Sequence, residues 1–215
     1  MLIDLSQWEA LFRAKAKTLY PSSDPSHDYL HVCRVVGMAV KLAAEEGADI
    51  NIVLPAAFFH DCVNVPKNDP RRKEASRLSA DAAVEYLKSV NYPAVYFDGI
   101  KHAITAHSFS ANIPVETLEA KVVQDADRLD GLGAIGIARC FTVGALLQRP
   151  YYCDGDIMAE HRAADDQIDT VDHFFVKLFR TAETLQTAAA RKEGQRRVLF
   201  MKDYLAQLQS EAEVA

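Results

Sequence analysis

Apolar residues recur at intervals of three and four along almost the whole chain, which is the spacing that one buried face of an α-helix requires. Helix boundaries are marked by local signals: Pro21 closes the first helix, Ser26 is the expected N-cap of the second, and Gly47 is its stop. The pattern predicts helices over residues 4–20, 26–46, 52–61, 74–90, 94–107, 118–127, 132–149, 170–185 and 188–210.

Two stretches break this periodicity. Residues 64–73 contain Pro66 and Pro70 among basic residues and predict a loop, and a polar connection begins at Arg149. No alternation typical of a β-strand lasts for more than a few residues, and no repeat or linker divides the chain. The sequence therefore predicts one all-α domain spanning residues 1–215.

Composition narrows the range of functions. The net charge of -6 argues against a partner of duplex nucleic acid, although a bound metal would still allow an anionic nucleotide. The four cysteines form no C-x-x-C pair, so neither a zinc ribbon nor a disulfide framework is expected. The chain shows no signal peptide and no uninterrupted apolar stretch of about 18 residues. We therefore expect a soluble cytoplasmic protein that does not bind membranes.

His60 and Asp61 are the most informative residues, because both follow directly on the apolar run 53–59. Burying an imidazole and a carboxylate is costly unless a partner satisfies them, and a divalent cation would do so. His31 upstream and Asp127 downstream complete a candidate set of nitrogen and oxygen ligands suited to Mn, Mg, Co, Ni, Fe or Zn. Neighbouring helical residues point about 100° apart, so His60 and Asp61 reach one ion only near a helix end.

This order of residues resembles the H…HD…D pattern of the HD superfamily of metal-dependent phosphohydrolases. Further strings resemble a bacterial subgroup of HD hydrolases, one branch of which acts as a nucleotide pyrophosphohydrolase. These strings are AHSFSA at 106–111, DADRLD at 125–130, GAIGIAR at 133–139 and HFFVKL at 173–178. The similarity extends over roughly residues 20–205 and implies a single HD-domain helical bundle.

The resemblance implies that His31, His60, Asp61 and Asp127 hold one divalent metal ion. Asp127 is chosen because family members place the ligand in an Ala-Asp pair, and neighbouring Asp125 and Asp130 are then expected as supporting partners or caps. Some HD proteins add histidines to hold a second metal, for which His107 is a better candidate than His102. Alternatively, His107 contacts the substrate phosphate or acts as a general acid.

Phosphoryl transfer also requires cations around the phosphate oxygens. Lys67 and Arg128 are the preferred catalytic candidates, beside Asp61 and His107. Asn64, Lys67, Arg71 and Lys177 are candidates for substrate binding. For Lys67, Arg71 and the neighbouring Arg72, a solvated loop is an equally good interpretation.

The activity implied is hydrolysis of a phosphoester or phosphoanhydride bond in a small phosphorylated, nucleotide-like substrate. Pyrophosphohydrolase action on a nucleoside triphosphate is the first specific expectation, followed by phosphomonoester or cyclic-nucleotide cleavage. Two alternatives remain open: a nucleotide-sensing module whose metal serves as a clamp, and a di-iron oxygenase of the HD type. The sequence predicts no particular oligomeric state.

Overall fold

The computed structural model describes residues 5–20, 28–65, 69–108 and 111–213, which hold nine α-helices and no β-strand. The helices are α1 Leu5–Leu19, α2 Tyr29–Glu46, α3 Ile50–Phe59, α4 Ala75–Ser89, α5 Phe97–His107, α6 Leu118–Asp130, α7 Gly133–Leu146, α8 Phe179–Glu183 and α9 Ala188–Ala212. Short 3-10 turns span Pro70–Glu74 and Ala94–Tyr96, and a π-helical turn spans Phe174–Leu178. The prediction of an all-α protein is confirmed.

The boundaries of α2 show how local chemistry sets a helix. The side chain of Asp28 is the N-cap and accepts a hydrogen bond of 2.8 Å from the His31 amide. Gly47 ends the helix with a φ of 76°, a left-handed conformation that glycine adopts without steric cost. The predicted N-cap, Ser26, lies outside the described residues, whereas the predicted stop at Gly47 is confirmed.

The chain forms two compact units, residues 1–127 and 128–215, and the division falls within the last turn of α6. In the first unit, α3 packs against α1, α2 and α5. The whole run 53–59 on α3 is buried. Phe12 of α1 meets the rings of Phe58 and Phe59 with centroids 6.0 and 5.5 Å apart. Truncating a buried phenylalanine costs about 3–5 kcal/mol, so this contact fixes α3 firmly in the core.

Helix α3 also carries Pro55, which lacks the backbone N–H that would bond to the carbonyl of Asn51 four residues earlier. The hydroxyl of Tyr92 donates to that carbonyl at 2.7 Å. Tyr92 therefore satisfies an acceptor that the proline leaves without its helical partner, and α3 continues past Pro55 to Phe59.

The second unit combines α7, α8 and α9 with the connection over residues 147–173. Its aromatic residues pack together, with the rings of Phe174 and Tyr204 stacked at 6.4 Å between centroids. Arg162 holds the connection through two hydrogen bonds of 2.5 and 2.8 Å to the buried Asp172. No single helix in the described ranges is long and apolar enough to cross a membrane, although α6 and α7 meet that test jointly across their bend.

Candidate metal centre

Three helices of the first unit bring His31, His60 and Asp127 together. His31 comes from the first turn of α2, His60 directly follows α3, and Asp127 lies near the end of α6. The Nε2 atoms of the two histidines are 3.4 Å apart. The Oδ1 atom of Asp127 lies 3.6 Å from His31 Nε2 and 3.8 Å from His60 Nε2. These donor atoms converge on one point, as a metal site requires.

A second group shares His60 and adds Asp61 and His107. The Nε2 atom of His60 is 3.9 Å from Asp61 Oδ2, and His107 Nε2 is 3.4 Å from Asp61 Oδ1. His107 is the last residue of α5. The two groups together bring three imidazoles and two carboxylates into one cluster.

Backbone carbonyls set which nitrogen of His60 and of His107 faces the cluster. The Nδ1 atom of His60 lies 2.9 Å from the carbonyl of Ala57, and Nδ1 of His107 lies 2.6 Å from the carbonyl of Ile104. A carbonyl oxygen only accepts hydrogen bonds, so each Nδ1 must carry a proton and donate it. In a neutral ring Nε2 then has the free lone pair, and it is the Nε2 atom that faces the carboxylates.

Burial and charge shift the protonation of the cluster in opposite directions. Burial, reinforced by the neighbouring imidazoles, lowers the pKa of His60 to about 4, so its ring is neutral near pH 7. Burial opposes protonation of His107 as well, but the hydrogen bond and charge of Asp61 raise its pKa to about 9. Burial also opposes ionisation of Asp127, yet the three imidazoles lower its pKa. A neutral His60 beside ionised carboxylates is the state in which these groups ligate a cation.

The two carboxylates are the open side of the cluster. The side chains of Asp61 and Asp127 are 29% and 30% exposed, whereas those of His31, His60 and His107 are at most 4% exposed. The imidazoles are therefore held inside the protein, and a small ligand from solvent meets the carboxylate side first.

The supporting contacts come from side chains that the sequence pattern did not single out. Gln124 of α6 donates a 2.9 Å hydrogen bond to the carbonyl of Ala106, next to His107. Tyr20 donates at 3.0 Å to the carbonyl of Phe58, two residues before His60. Tyrosine and glutamine are common outside functional sites, so their identity alone carries no signal.

Asp125, Asp130 and His102 belong to neither group of converging donor atoms among the described residues. Asp130 accepts a 2.8 Å hydrogen bond from Arg139, and Asp125 is fully buried on α6. His102 uses its Nε2 atom to accept a hydrogen bond of 3.2 Å from the amide of Glu116. Of the two histidines considered as extra ligands, the described residues thus place His107 in the cluster and give His102 another partner.

The candidate substrate contacts of the first unit lie in or near the segment after Asp61. Lys67 lies outside the described residues. Asn64 is exposed, and Arg71 forms a two-point ion pair with Asp69, with hydrogen bonds of 3.2 and 2.9 Å. Arg72 donates to the carbonyl of Val65 at 2.7 Å, so its guanidinium already has a partner in the protein.

The remaining two cationic candidates belong to the second unit. Arg128 donates a hydrogen bond of 2.8 Å to the carbonyl of Thr184. Lys177 is an exposed residue of the π-helical turn. Their roles toward a substrate stay predictions.

Comparison with known proteins gives matches across nearly the whole chain. The sequence model of the HD domain matches residues 28–132. The protein YpgQ of Bacillus subtilis strain 168 is 32% identical over 213 residues, which are 97% of this chain and 95% of that protein. The crystal structure of Bacillus subtilis YpgQ in complex with ADP is 33% identical and has a TM-score of 0.73, covering 94% of this chain and 97% of that one.

The solved structure of an HD-superfamily hydrolase from Bacillus thuringiensis is also similar to this chain over nearly its whole length. It is 28% identical, has a TM-score of 0.76, and covers 97% of this chain and 98% of its own. The matches include the segments that supply His31, His60, Asp61, His107 and Asp127. The resemblance drawn from the motifs is confirmed.

Proposed function

We propose that this chain, which belongs to the HD-domain family, is a metal-dependent phosphohydrolase acting on a small nucleotide-like substrate. The observation that carries the proposal is the cluster of imidazoles and carboxylates around His60. Family membership alone would leave the activity open, since one fold hosts many functions. The converging donor atoms are what favour a hydrolytic metal centre over a purely structural role.

The donor set suits a hard or borderline divalent cation. His31, His60, Asp61 and Asp127 would hold it through two neutral nitrogens and two carboxylates, whose combined charge balances one dication. The carbonyl of Ala57 engages Nδ1 of His60 and so leaves Nε2 for the ion. When bound, such an ion lowers the pKa of its water and neutralises the charge that develops on a phosphoryl group under attack.

His107 is the residue best placed to handle a proton. Its Nδ1 is committed to the carbonyl of Ile104, so only Nε2 is available toward the cluster. Nε2 lies 3.4 Å from Oδ1 of Asp61, a carboxylate whose side chain is 29% exposed. We assign His107 the role of holding a proton at Nε2 for the departing oxygen; a ligand role toward a second metal ion is the alternative.

For the substrate, we propose a nucleoside triphosphate that is cleaved to a nucleoside monophosphate and pyrophosphate. The structure of the Bacillus subtilis relative in complex with ADP supports a nucleotide ligand. The cations expected to bind the phosphate groups are Lys67, Arg71, Arg128 and Lys177, with Asn64 as a further polar contact.

The test is release of phosphate and of pyrophosphate from a nucleotide panel by metal-stripped protein, with Mn, Mg, Co, Ni, Fe or Zn added singly. We expect metal-dependent release of pyrophosphate, and its loss in Asp61→Ala. Asp81→Ala is the matched control, because Asp81 is an exposed carboxylate on α4 that pairs with Lys101. Asp81→Ala should keep the activity of the unmodified protein.

The products separate the alternatives. Release of phosphate without pyrophosphate would indicate a phosphomonoesterase or a terminal phosphatase instead of a pyrophosphohydrolase. Nucleotide binding without turnover by any metal form would favour a sensing module. Binding of two irons with consumption of oxygen would favour the oxygenase, although His102 does not join the cluster that such a centre would need.

A further inference from the structure

The backbone at the end of α3 departs from helical hydrogen bonding where the candidate ligands begin. The amide of Cys62 bonds to the carbonyl of Phe59 at 3.2 Å, three residues back, instead of to that of Phe58. His60 keeps helical angles, with φ of −55° and ψ of −38°. This tightening leaves the Phe58 carbonyl without its helical partner, and it turns the chain so that His60 and Asp61 face one region.

Tyr20 completes the hydrogen bonding on one side of this turn. Its hydroxyl donates to the carbonyl of Phe58 at 3.0 Å, which is the carbonyl that the tightened turn leaves without its helical partner. The side chain of Tyr20 is buried, so water does not readily replace this hydrogen bond. The Tyr20 hydroxyl thus fixes the backbone two residues before His60.

Ser79, in the second turn of α4, completes the hydrogen bonding on the other side of the turn at the end of α3. Its hydroxyl accepts a 3.1 Å hydrogen bond from the amide of Val63, and its carbonyl accepts one of 3.4 Å from the thiol of Cys62. Ser79 is fully buried. The residues that follow Asp61 are therefore held to α4 by the backbone and the side chain of one residue.

We propose that the hydroxyls of Tyr20 and Ser79 are positioning groups that hold residues 58–63 in the conformation that aims His60 and Asp61 at a common cation. Tyr20 lies outside residues 28–132, which match the HD domain, and Ser79 has no place in the H…HD…D pattern. The proposal rests on the metal-binding part of the proposed function. It assigns a role in metal affinity to residues that do not touch the metal.

The chain supplies a matched control for each hydroxyl. Tyr92 donates to the carbonyl of Asn51 at the first turn of α3, so Tyr92→Phe removes the same kind of hydrogen bond from the same helix. Ser76 lies one turn before Ser79 on α4, and its buried hydroxyl has no partner among the residues that the structure describes. Ser76→Ala therefore repeats the substitution without breaking a hydrogen bond.

The experiment compares Mn²⁺ binding, by titration calorimetry on metal-stripped protein, in Tyr20→Phe against Tyr92→Phe and in Ser79→Ala against Ser76→Ala. We expect Tyr20→Phe and Ser79→Ala to raise the dissociation constant about 10-fold, the smaller end of the range for groups that orient metal ligands. Each control should change it by less than about 2-fold, because neither substitution removes a hydrogen bond to residues 58–63. Melting temperatures should fall similarly in the two tyrosine variants.

A second readout uses the metal-free proteins. Long-range ¹⁵N–¹H spectra of the imidazoles report which nitrogen of His60 carries the proton. Tyr20→Phe and Ser79→Ala should alter the His60 resonances, and the two controls should leave them unchanged. If Tyr20→Phe does not fold, the comparison of Ser79→Ala with Ser76→Ala decides the matter by itself.

The proposal would be overturned if each variant bound Mn²⁺ as tightly as its matched control and the His60 resonances were unchanged. Tyr20 and Ser79 would then serve only in packing of the core. Failure of the unmodified protein to bind Mn²⁺ or any other cation would instead contradict the proposed metal-dependent function. In that case the imidazole spectra still decide whether these hydroxyls position His60.

Discussion

Replacing Glu193 by glutamine should destabilise the protein in a manner that depends on pH. Glu193 on α9 accepts hydrogen bonds from Arg196 at 2.8 and 2.9 Å and from Arg197 at 2.8 Å. Arg197 in turn donates to the carbonyl of Leu129 in the last turn of α6. The carboxylate therefore orients a guanidinium that satisfies a helix-terminal carbonyl.

The magnitude follows from the pKa of the carboxyl group. The hydrogen bond from Arg196, with that from Arg197, outweighs burial and lowers the pKa of Glu193 from 4.5 to about 2. At about 1.4 kcal/mol for each tenfold change in proton affinity, this difference sets an upper bound of roughly 3 kcal/mol. Arg196 is 71% exposed and its interaction is screened by solvent, so we expect a loss of about 1–2 kcal/mol at pH 7.

The loss of stability caused by Glu193→Gln should be largest above pH 4.5 and should decrease as the pH falls. Above pH 4.5 the carboxylate is ionised in the folded and the unfolded chain, and the stabilisation is fully present. As the pH falls from 4.5 toward 2, the unfolded chain takes up the proton first, so the stabilisation declines and then disappears. The free energies of unfolding of the unmodified and Glu193→Gln proteins should therefore converge in acid.

Urea unfolding at low ionic strength between pH 7 and pH 3 measures this difference, since urea does not screen charges as guanidinium salts do. Glu85→Gln is the matched control, because Glu85 is 74% exposed and pairs with Lys88 at 2.9 Å across one helical turn. That pair should contribute less than about 0.5 kcal/mol. The reasoning would be refuted if the free energies of unfolding of the unmodified and Glu193→Gln proteins were equal at pH 7. It would also be refuted if they differed by the same amount from pH 7 down to pH 3.

Two further changes test the site and the packing. His107→Asn should lower kcat for pyrophosphate release about 100-fold by removing the proton donor, with Mn²⁺ affinity little changed; lost affinity would indicate a ligand role instead. Gly144→Ala should cost about 1–3 kcal/mol in thermal denaturation, because its Cβ would lie 2.3 Å from the hydroxyl of Thr170. Gly37→Ala on α2 meets nothing within 4 Å and should instead stabilise by about 0.5–1 kcal/mol; destabilisation there would contradict the packing described.

Local signals predicted most helix ends because capping and helix breaking act within a few residues. The left-handed glycine at position 47 ends α2 where expected, and α9 spans Ala188–Ala212 against a prediction of 188–210. The predicted loop 64–73 includes a 3-10 turn at its end, since Pro70 fits the first position of such a turn. The expected helix over 170–185 is divided into a π-helical turn and α8.

The cations near the HD pair show the limit of composition. Arg71 and Arg72 are adjacent and identical in sequence terms, yet one pairs with Asp69 and the other donates to the carbonyl of Val65. A basic cluster read from sequence does not reveal which guanidinium already has partners within its own loop. Contacts between residues a few positions apart decide this, and they depend on the conformation of the backbone.

The sequence alone predicted the all-α class, a helix over residues 52–61 that the structure has at Ile50–Phe59, and the residue types of a mixed nitrogen and oxygen site. Those features follow from periodicity and from the cost of burying unsatisfied polar groups, both of which are local properties. The resemblance favoured His107 over His102 as an extra ligand, and the packing of α5 is what brings His107 into the cluster and gives His102 another partner. Residues five apart on a helix point about 140° apart, so the packing of α5 selects which one turns inward. The same holds for Tyr20, whose hydroxyl reaches a carbonyl 38 residues away, because chain-distant contacts are set by the packing of helices and not by their sequence spacing.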